Sequence, residues 1–361
     1  MSGAAAAPVR GPGTPPQLAF ACCGQGIEKT QALFASRDVF RDLKALHAEV
    51  GLGVPDFSPQ RAEFVRQLNR DGIPVAACLT LPKEDGYYMN AGNEAAARRR
   101  IADFEKWTDS QGLKWAAIGL DIEPNFAQLA ALRRHPWSLI ATLLRRTLSI
   151  ARFRRAGRAY SQLVGEMQGK GYTVQVYRMP YVPAERSAHA EWLDRMLETV
   201  DVRGNEDYVM LYTSYGRPSG AGVIWLLGRH AQGIVVGVTD GAGSAGKGTG
   251  PLDWDEFSRD LIVASHFTRR IGVFDLEGCI RQGFLPRLLH FDWGQTVIIP
   301  AKSMSRAQRL VFIVRAALWT GSYILYFVPA ILMLVAWVVL RRRIPGAGRT
   351  RRRESQPTEG R

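Results

Sequence analysis

Cysteine and histidine are scarce in this sequence. It has four cysteines and six histidines in 361 residues, and two of the cysteines, Cys22 and Cys23, are adjacent. No two cysteines have the C-x-x-C spacing and no two histidines lie four residues apart, which argues against a disulfide framework or a zinc site. No serine lies in a G-x-S-x-G turn, so that form of nucleophilic hydrolase is excluded. We therefore expect neither a metal nor any other cofactor.

Acidic residues are the minority among the charged ones. The chain has 47 Lys and Arg against 33 Asp and Glu, which gives a net charge of +14. Residues 124–165 contain no carboxylate, and their eight arginines alternate with apolar residues at helical spacing. This pattern predicts a basic amphipathic helix over 138–158, either an outer helix with a solvated face or a surface in contact with anionic lipid. Few aromatic residues accompany the arginines, so nucleic acid is not the favoured partner.

Long apolar runs are absent except near the carboxyl terminus. Residues 316–340 contain no charged side chain, and a helix of that length extends for about 37 Å, enough to span a bilayer. Trp319 and Trp337 stand near the two ends, and the 341–361 tail is basic. The segment predicts a single transmembrane helix with the basic tail in the cytoplasm and the main domain on the other side. The amino terminus lacks an apolar run long enough for a signal peptide, so the sidedness stays open.

Before this segment, short apolar runs alternate with longer amphipathic stretches, the pattern of a β/α repeat. Eight cycles fit residues 17–293, which is the count and size of a (β/α)8 TIM barrel, with a doubly wound open sheet as the alternative. Residues 1–16 are expected to form a disordered Ala/Pro/Gly arm, 294–315 a linker, and 341–361 a disordered tail. The predicted strands are 17–23, 47–54, 73–81, 114–122, 173–179, 208–214, 233–239 and 270–276. The predicted helices include 59–70, 94–110, 138–168, 187–200, 221–231 and 253–267.

Carboxylates and tyrosines follow the predicted strands, at the barrel end where active sites of this architecture lie. Asp121 and Glu123 are two residues apart on the fourth strand, so both point to one face, whereas Leu120 and Ile122 point to the other. Two carboxyl groups this close cannot both ionise easily in a partly dry pocket, and one of them is expected to have a raised pKa. Such a group is a candidate general acid at neutral pH. The alternative is a pair of acids bound to a neighbouring arginine, for which Arg178 is the candidate.

Residues of the fourth and sixth predicted strands resemble a known family. The segment G-L-D-I-E that ends at Glu123 is similar to the D-x-E end of the family 18 glycoside hydrolase signature, that of chitinases and their relatives. The segment from Met210 to Tyr212 is similar to the M-x-Y motif of the same family. The resemblance implies that Glu123 protonates the glycosidic oxygen. It also implies that Asp121 orients the substrate's N-acetyl group as internal nucleophile and that Tyr212 hydrogen-bonds this acetamide.

Other polar and aromatic side chains at the same end are candidates for binding the sugar, because sugars offer hydroxyl groups to carboxylates and apolar faces to rings. Asp275 and Glu277 repeat the two-residue spacing on the eighth predicted strand, across the barrel from the fourth. Any single tyrosine can equally cap the packing of the barrel. The candidate substrate-binding residues are Asp275, Glu277, Met210, Tyr177, Arg178, Tyr181, Tyr215, Asp240 and Tyr87.

These observations predict a membrane-anchored glycoside hydrolase that cleaves a polysaccharide by general acid catalysis, with Glu123 as the acid and Asp121 assisting. Ala116, Gly119 and Thr213 stand where the family has aspartates, so a carbohydrate-binding barrel without turnover is the alternative. A structural membrane-protein domain is the third reading. The expected partners are a glycan and the lipid bilayer.

Overall fold

A closed barrel of eight parallel strands forms the centre of the molecule. The computed structural model describes residues 6–22, 26–125, 146–240 and 250–343. Strands β2 to β9 pair in sequence order and close on themselves, which confirms the predicted TIM barrel, and each barrel strand overlaps one predicted strand. The strands are β1 (Ala7–Arg10), β2 (Gln17–Cys22), β3 (Glu49–Val54), β4 (Val75–Leu79), β5 (Ala117–Ile122), β6 (Val174–Arg178), β7 (Glu206–Leu211), β8 (Gly233–Gly237), β9 (Arg270–Phe274) and β10 (Thr296–Ile299).

Helices connect the strands and cover the barrel. Their ends follow local capping signals: Ser58 Oγ accepts a hydrogen bond from Arg61 N at the start of one helix, and Gly112, with φ of +58°, ends another. The predicted helix 187–200 is divided between two short helices. The helices are α1 (Ile27–Leu33), α2 (Arg37–Ala45), α3 (Pro59–Arg70), α4 (Glu94–Gln111), α5 (Ile150–Gly169), α6 (Val182–Ala188), α7 (Trp192–Leu197), α8 (Gly220–Leu227), α9 (Trp254–Ser265), α10 (Leu276–Arg281), α11 (Phe284–Leu289) and α12 (Ala301–Arg343).

Side-chain alternation along the strands separates the interior of the barrel from the layer beneath the helices. On β5, Ile118 and Leu120 are completely buried under the helices, whereas Gly119 and Asp121 face the interior. The register places Asp121 beside Tyr177 of β6. Because small residues occupy many of the inward positions, the upper interior is not filled by side chains. These small residues are Ala19, Ala21, Gly51, Gly53, Gly119 and Gly272.

The lower interior of the barrel is closed by a polar layer. Gln175 Nε2 donates hydrogen bonds to Glu49 Oε1 at 2.9 Å and to Glu206 Oε2 at 3.1 Å. The Tyr208 hydroxyl donates to Glu206 Oε2 at 3.3 Å. Burial raises the pKa of Glu49, which favours its protonated form in this layer. A ligand therefore reaches the interior from the carboxyl ends of the strands.

The segments expected to be an arm and a linker take part in the fold. Strand β1, within residues 1–16, pairs antiparallel with β10, within 294–315. Val9 and Ile299 are buried in the core, and this burial offsets the cost of ordering the two segments. The expectation of a disordered arm is therefore wrong for residues 7–10. The rest of the expected linker, from Ala301 onwards, is the start of α12.

The first half of α12 packs on the barrel. Gly222 N donates a hydrogen bond to Ser303 Oγ at 3.0 Å, and Trp192 Nε1 donates to the Leu318 carbonyl at 3.2 Å. The predicted transmembrane segment, 316–340, forms the second half of the same helix. Among the residues that the structure describes, no helix is long and apolar enough to cross a membrane.

The predicted basic helix, 138–158, lies only partly in the described chain, because residues 126–145 are outside it. Its later part belongs to α5. There Arg152 forms an ion pair with Glu198 at 3.3 Å, and Arg154 approaches Glu191 at 4.0 Å. Some of the arginine charge is thus balanced within the protein itself.

Candidate active site

A cavity of about 160 Å³ opens at the carboxyl end of the barrel. All eight barrel strands contribute to its walls. Its lining brings together five residues that the sequence analysis selected as candidates. They are Asp121, Tyr177, Met210, Tyr212 and Tyr87.

Asp121 and Glu123 form a hydrogen-bonded acid pair at the top of β5. The backbone N–H of Glu123 donates to the Met89 carbonyl at 3.2 Å, which fixes the residue just beyond the strand. Burial raises the pKa of Glu123 well above its usual range, and the charge of Asp121 and the hydrogen bond between the two raise it further. Burial also raises the pKa of Asp121, but the hydrogen bond from Glu123 opposes that change. The raised pKa values of both groups favour one proton shared between the two carboxyl groups.

One oxygen of Asp121 has unused bonding capacity. Asp121 Oδ1 is buried and has no hydrogen-bond partner among the described residues. A buried carboxylate oxygen without a donor costs free energy, so such atoms are normally paired. Because Asp121 lines the cavity, a donor group on a ligand can satisfy it there. No arginine or lysine in the described chain forms an ion pair with Asp121 or Glu123.

Aromatic rings form part of the cavity wall. The Tyr212 ring lies 5.1 Å from that of Phe274 and 5.8 Å from that of Tyr215, to which it is nearly perpendicular. Phe274 also lines the cavity. A wall of rings beside carboxylates offers both an apolar face and hydrogen-bonding groups to a ligand.

Tyr177 is packed into the interior from below. Its ring stacks on that of Tyr208, with 5.2 Å between the centroids, and its hydroxyl donates to Gln175 Oε1 at 3.0 Å. A Cβ added to Gly119 would lie 3.0 Å from Tyr177 Cε2. Tyr177 thus occupies the space that a side chain at position 119 would need.

Arg178 is not part of the cavity, contrary to the sequence prediction. It lies on the opposite face of β6 from Tyr177 and is almost completely buried. Its guanidinium forms a short ion pair with Asp201 and pairs with Asp207 at 2.9 Å. These contacts neutralise a charge between the barrel and its helices, so Arg178 has a structural role and does not bind the acid pair.

Tyr181 is also placed away from the cavity lining. Its hydroxyl is hydrogen-bonded to Thr199 Oγ1 at 2.7 Å, and Thr199 in turn donates to Asp194 Oδ1 at 2.6 Å. Glu185 accepts from the backbone N–H groups of residues 193 and 194. This buried network caps α7 and explains why Tyr181 turns from the barrel mouth.

The eighth barrel strand does not repeat the geometry of the fourth. Strand β9 ends at Phe274, and Asp275 is the N-cap of α10, where Oδ1 accepts from Gly278 N at 2.8 Å. Glu277 therefore lies on a helix, and its Oε1 is 3.9 Å from Cys22 Sγ. Burial raises the pKa of Asp275, and a hydrogen bond with Asp240 raises it further. The three carboxyl groups lie at the barrel rim, but none of them lines the cavity.

The two thiols in the cavity wall, Cys22 and Cys78, are not nucleophiles at neutral pH, and burial raises the pKa of Cys22 well above its usual range. Burial raises the pKa of Cys78 to about 12, and only the thiolate is strongly nucleophilic. In the described chain, no group of three or more His, Cys, Asp or Glu side chains is arranged to hold a metal ion.

A second, larger cavity was not anticipated from the sequence. Its volume is about 750 Å³, and it lies beside the barrel mouth between the segment that follows β4 and the start of α5. Its lining includes Asn90, Asn125, Arg99, Arg152 and Glu198. The sequence shows polar residues after β4 and arginines after residue 124. It does not show that these two stretches of chain lie next to each other in the fold.

Comparisons with protein-family models and with curated proteins find no match for this chain. Among solved structures, the chain is similar to 3-keto-D-glucoside 4-epimerase from E. coli, with 12% identity over 76% of this chain and 99% of that one and a TM-score of 0.44. It is similar to the PgaB glycoside hydrolase domain from Bordetella bronchiseptica, with 10% identity over 76% and 98% and a TM-score of 0.46. An L-ribulose 3-epimerase shares 12% identity over 86% and 98%, with a TM-score of 0.40. These likenesses concern the fold.

Proposed function

We propose that this protein is a glycoside hydrolase in which Glu123 is the general acid. The observation that supports the proposal is the acid pair. Asp121 lines the cavity and presents a buried oxygen without a partner among the described residues. Glu123 is hydrogen-bonded to Asp121 and has a raised pKa, although it is not itself part of the cavity lining. A carboxylic acid that keeps its proton at neutral pH, next to a carboxylate, is what protonation of a leaving group requires.

The reaction needs no reagent besides water. Glu123 gives its proton to the glycosidic oxygen while the bond from that oxygen to the anomeric carbon breaks. The developing positive charge on the sugar is stabilised by the Asp121 carboxylate. A water molecule then adds its oxygen to the anomeric carbon and returns a proton to Glu123, so one glycoside and one water give two sugars.

The family 18 resemblance supports a more specific form of this reaction. In that form the acetamido oxygen of the substrate attacks the anomeric carbon, and Asp121 and Tyr212 position the acetamide. Asp121 and Tyr212 both line the cavity, as the resemblance requires. A 2-acetamido sugar is accordingly the proposed substrate class.

A panel of defined oligosaccharides tests this proposal. We expect the wild-type protein to release reducing ends from 2-acetamido glycans, and Glu123→Gln to abolish release while binding persists. Binding without hydrolysis by the wild-type protein would favour the alternative, a carbohydrate-binding barrel. The filled space at Gly119 is the observation that favours this alternative, because the family's inner aspartate has no counterpart there.

We further propose that α12 attaches the barrel to a membrane through residues 316–340. Several large apolar side chains of this helix are exposed, including Trp319, Met333, Leu334 and Trp337. Exposed apolar side chains in such number are unfavourable in water and are typical of a surface that contacts lipid or protein. This proposal does not specify the side of the membrane on which the barrel lies. It includes contact of the arginines of residues 138–158 with anionic lipid.

A further inference from the structure

The first half of α12 has one covered side and one exposed side. Ala307 and Leu318 are completely buried against the barrel, and they are about three helical turns apart, so they lie on the same side of the helix. Arg306, Arg309 and Ile313 follow one another at spacings of three and four residues on the opposite side, and all three are exposed. No element in the described part of the chain covers that side.

Large apolar side chains are exposed on this uncovered side. The exposed fraction is 71% for Phe312 and 62% for Ile313. Trp319, seven residues after Phe312 and thus on the same side, is 61% exposed. A contiguous apolar patch of this kind marks a surface that contacts another molecule.

The charges of the same side are all positive. Helix α12 contains no Asp or Glu, and neither Arg306 nor Arg309 forms an ion pair with a described residue. Arg309 Nε donates to the carbonyl of Ser305, on the same helix, at 3.4 Å. By contrast, Arg152 of α5 pairs with Glu198. Basic residues next to large apolar ones are typical of a helix that binds an anionic membrane surface. We call four of these residues the basic face of α12: Arg306, Arg309, Phe312 and Ile313.

The basic face lies next to the segment that is proposed to enter the bilayer. At a rise of 1.5 Å per residue, Phe312 lies about 6 Å and Arg309 about 10 Å before Ala316, where that segment begins. The headgroup layer on each side of the hydrocarbon core is about 5–8 Å thick. Phe312 therefore falls within the headgroup layer, and the long side chain of Arg309 can reach lipid phosphates from just outside it.

The barrel itself is held close to the same boundary. Trp192, at the first position of α7, donates from Nε1 to the Leu318 carbonyl at 3.2 Å. Its indole ring also lies directly over Gly321, where a Cβ would overlap it. Both contacts are with the segment that is proposed to enter the bilayer. The barrel surface around Trp192 is thereby placed at the membrane interface, where tryptophan is enriched.

We propose that the barrel rests directly on an anionic bilayer and that the basic face of α12 binds the phosphate groups of its lipids. This inference rests on the proposed attachment through residues 316–340. The contact adds a preference for anionic lipid to the apolar anchor and holds the barrel against the membrane. A second copy of the chain fits this face less well, because a symmetric contact would bring like charges together.

The test measures which lipids surround the basic face in the full-length protein. A fluorophore is attached through Phe312→Cys, or through Met333→Cys in the apolar half of α12, and the signal of the unsubstituted protein is subtracted. The protein is reconstituted into vesicles of equal amounts of phosphatidylcholine and phosphatidylglycerol, one of which carries a quenching nitroxide near the top of an acyl chain. We expect the phosphatidylglycerol nitroxide to quench the label at position 312 at least twice as strongly as the phosphatidylcholine nitroxide.

Charge variants show whether the arginines cause this preference. In Arg306→Gln combined with Arg309→Gln, the two lipids should quench the label at position 312 equally. Arg37→Gln combined with Arg70→Gln is the matched control, because it removes the same charge from exposed positions of α2 and α3. This control should keep the preference of the wild-type chain.

The outcomes separate the inference from the attachment on which it rests. Quenching at position 333 without quenching at position 312 would overturn the inference, keep the membrane attachment, and leave the basic face to an acidic protein partner. Equal quenching at position 312 by the two lipids, with both arginines present, would overturn the binding of anionic lipid. Absence of quenching at both positions would overturn the inference and the attachment together.

Discussion

A side-chain hydrogen bond joins Glu123 to Asp121, the residue two positions earlier, at the top of the fourth barrel strand. The two groups are adjacent because successive side chains of an extended strand alternate between its faces. They are also half-buried, so a second negative charge there is unfavourable. The proton that the pair holds is the basis of the proposed chemistry.

Replacing Glu123 by glutamine should remove activity without unfolding the protein. The amide can still donate to Asp121 but cannot transfer a proton, and general acid catalysis contributes about 10²–10⁴-fold to rate. We expect kcat to fall by about this factor, with the melting temperature close to that of the wild type. Glu63→Gln is the control, because Glu63 is exposed on α3. Equal activity of the Glu123 and Glu63 variants would show that Glu123 is not the acid.

Hydrolysis should decline in alkaline solution. The pKa of Glu123 is raised by burial and by Asp121, so the reactive protonated form persists above the usual glutamate range and is lost as pH rises through the raised pKa. A profile of kcat against pH should therefore show a descending alkaline limb. A rate that falls instead near the usual glutamate pKa would contradict the assignment.

The same pKa shift affects stability. A raised pKa means that the folded state holds the proton more tightly than the unfolded state does. The contribution of Glu123 to the free energy of unfolding is thus complete below its usual pKa of 4.5 and is lost as pH rises through the folded value. Urea unfolding at a series of pH values should show this decline, and Glu123→Gln should reduce it. If the free energy of unfolding of the variant declines with pH as much as that of the wild type, the decline belongs to other titratable groups.

Much of the barrel follows from the sequence because strand positions depend on local patterns. The inward direction of Asp121 likewise follows from apolar Leu120 and Ile122 on either side of it. By the same alternation, the consecutive residues Tyr177 and Arg178 cannot both face the interior. Arg178 shares its face of the strand with Val174 and Val176, which are buried beneath the helices.

Other features depend on chain turns and long-range contacts that no local pattern reveals. Asp275 and Glu277 are two residues apart, as two side chains on the same face of a strand would be. A helix begins at Leu276, however, so the alternation of side chains along a strand no longer applies to them. The larger cavity forms where the segment after β4 meets α5, more than fifty residues later in the chain. Its residues could be recognised as polar, but not as neighbours.

Arg178 should be essential for stability. Its guanidinium is buried against Asp207, whose side chain is also buried, and removal of one partner of a buried ion pair costs about 3–5 kcal/mol. Arg178→Met should lower the free energy of unfolding by about this amount, and the double variant with Asp207→Asn should recover part of the loss. Arg155→Met, at an exposed position of α5, is the control. A stable Arg178→Met with impaired glycan binding would restore the sequence prediction.

The carboxyl-terminal half of α12 should determine membrane association. A chain that ends at residue 323 keeps the contact of Trp192 with Leu318 but loses the later apolar residues. We expect the full chain to stay in the membrane fraction after alkaline carbonate extraction and the shortened chain to become soluble and folded. Soluble behaviour of both forms would contradict membrane attachment.

The protonation state of Glu123 is the most direct test of this account. Carbon-13 NMR of protein labelled at the glutamate side-chain carboxyl carbon, with Glu123→Gln to assign the signal, follows that group through a pH titration. The account predicts a Glu123 carboxyl that remains protonated at pH 7. A signal that titrates near pH 4.5, the ordinary glutamate value, would contradict it.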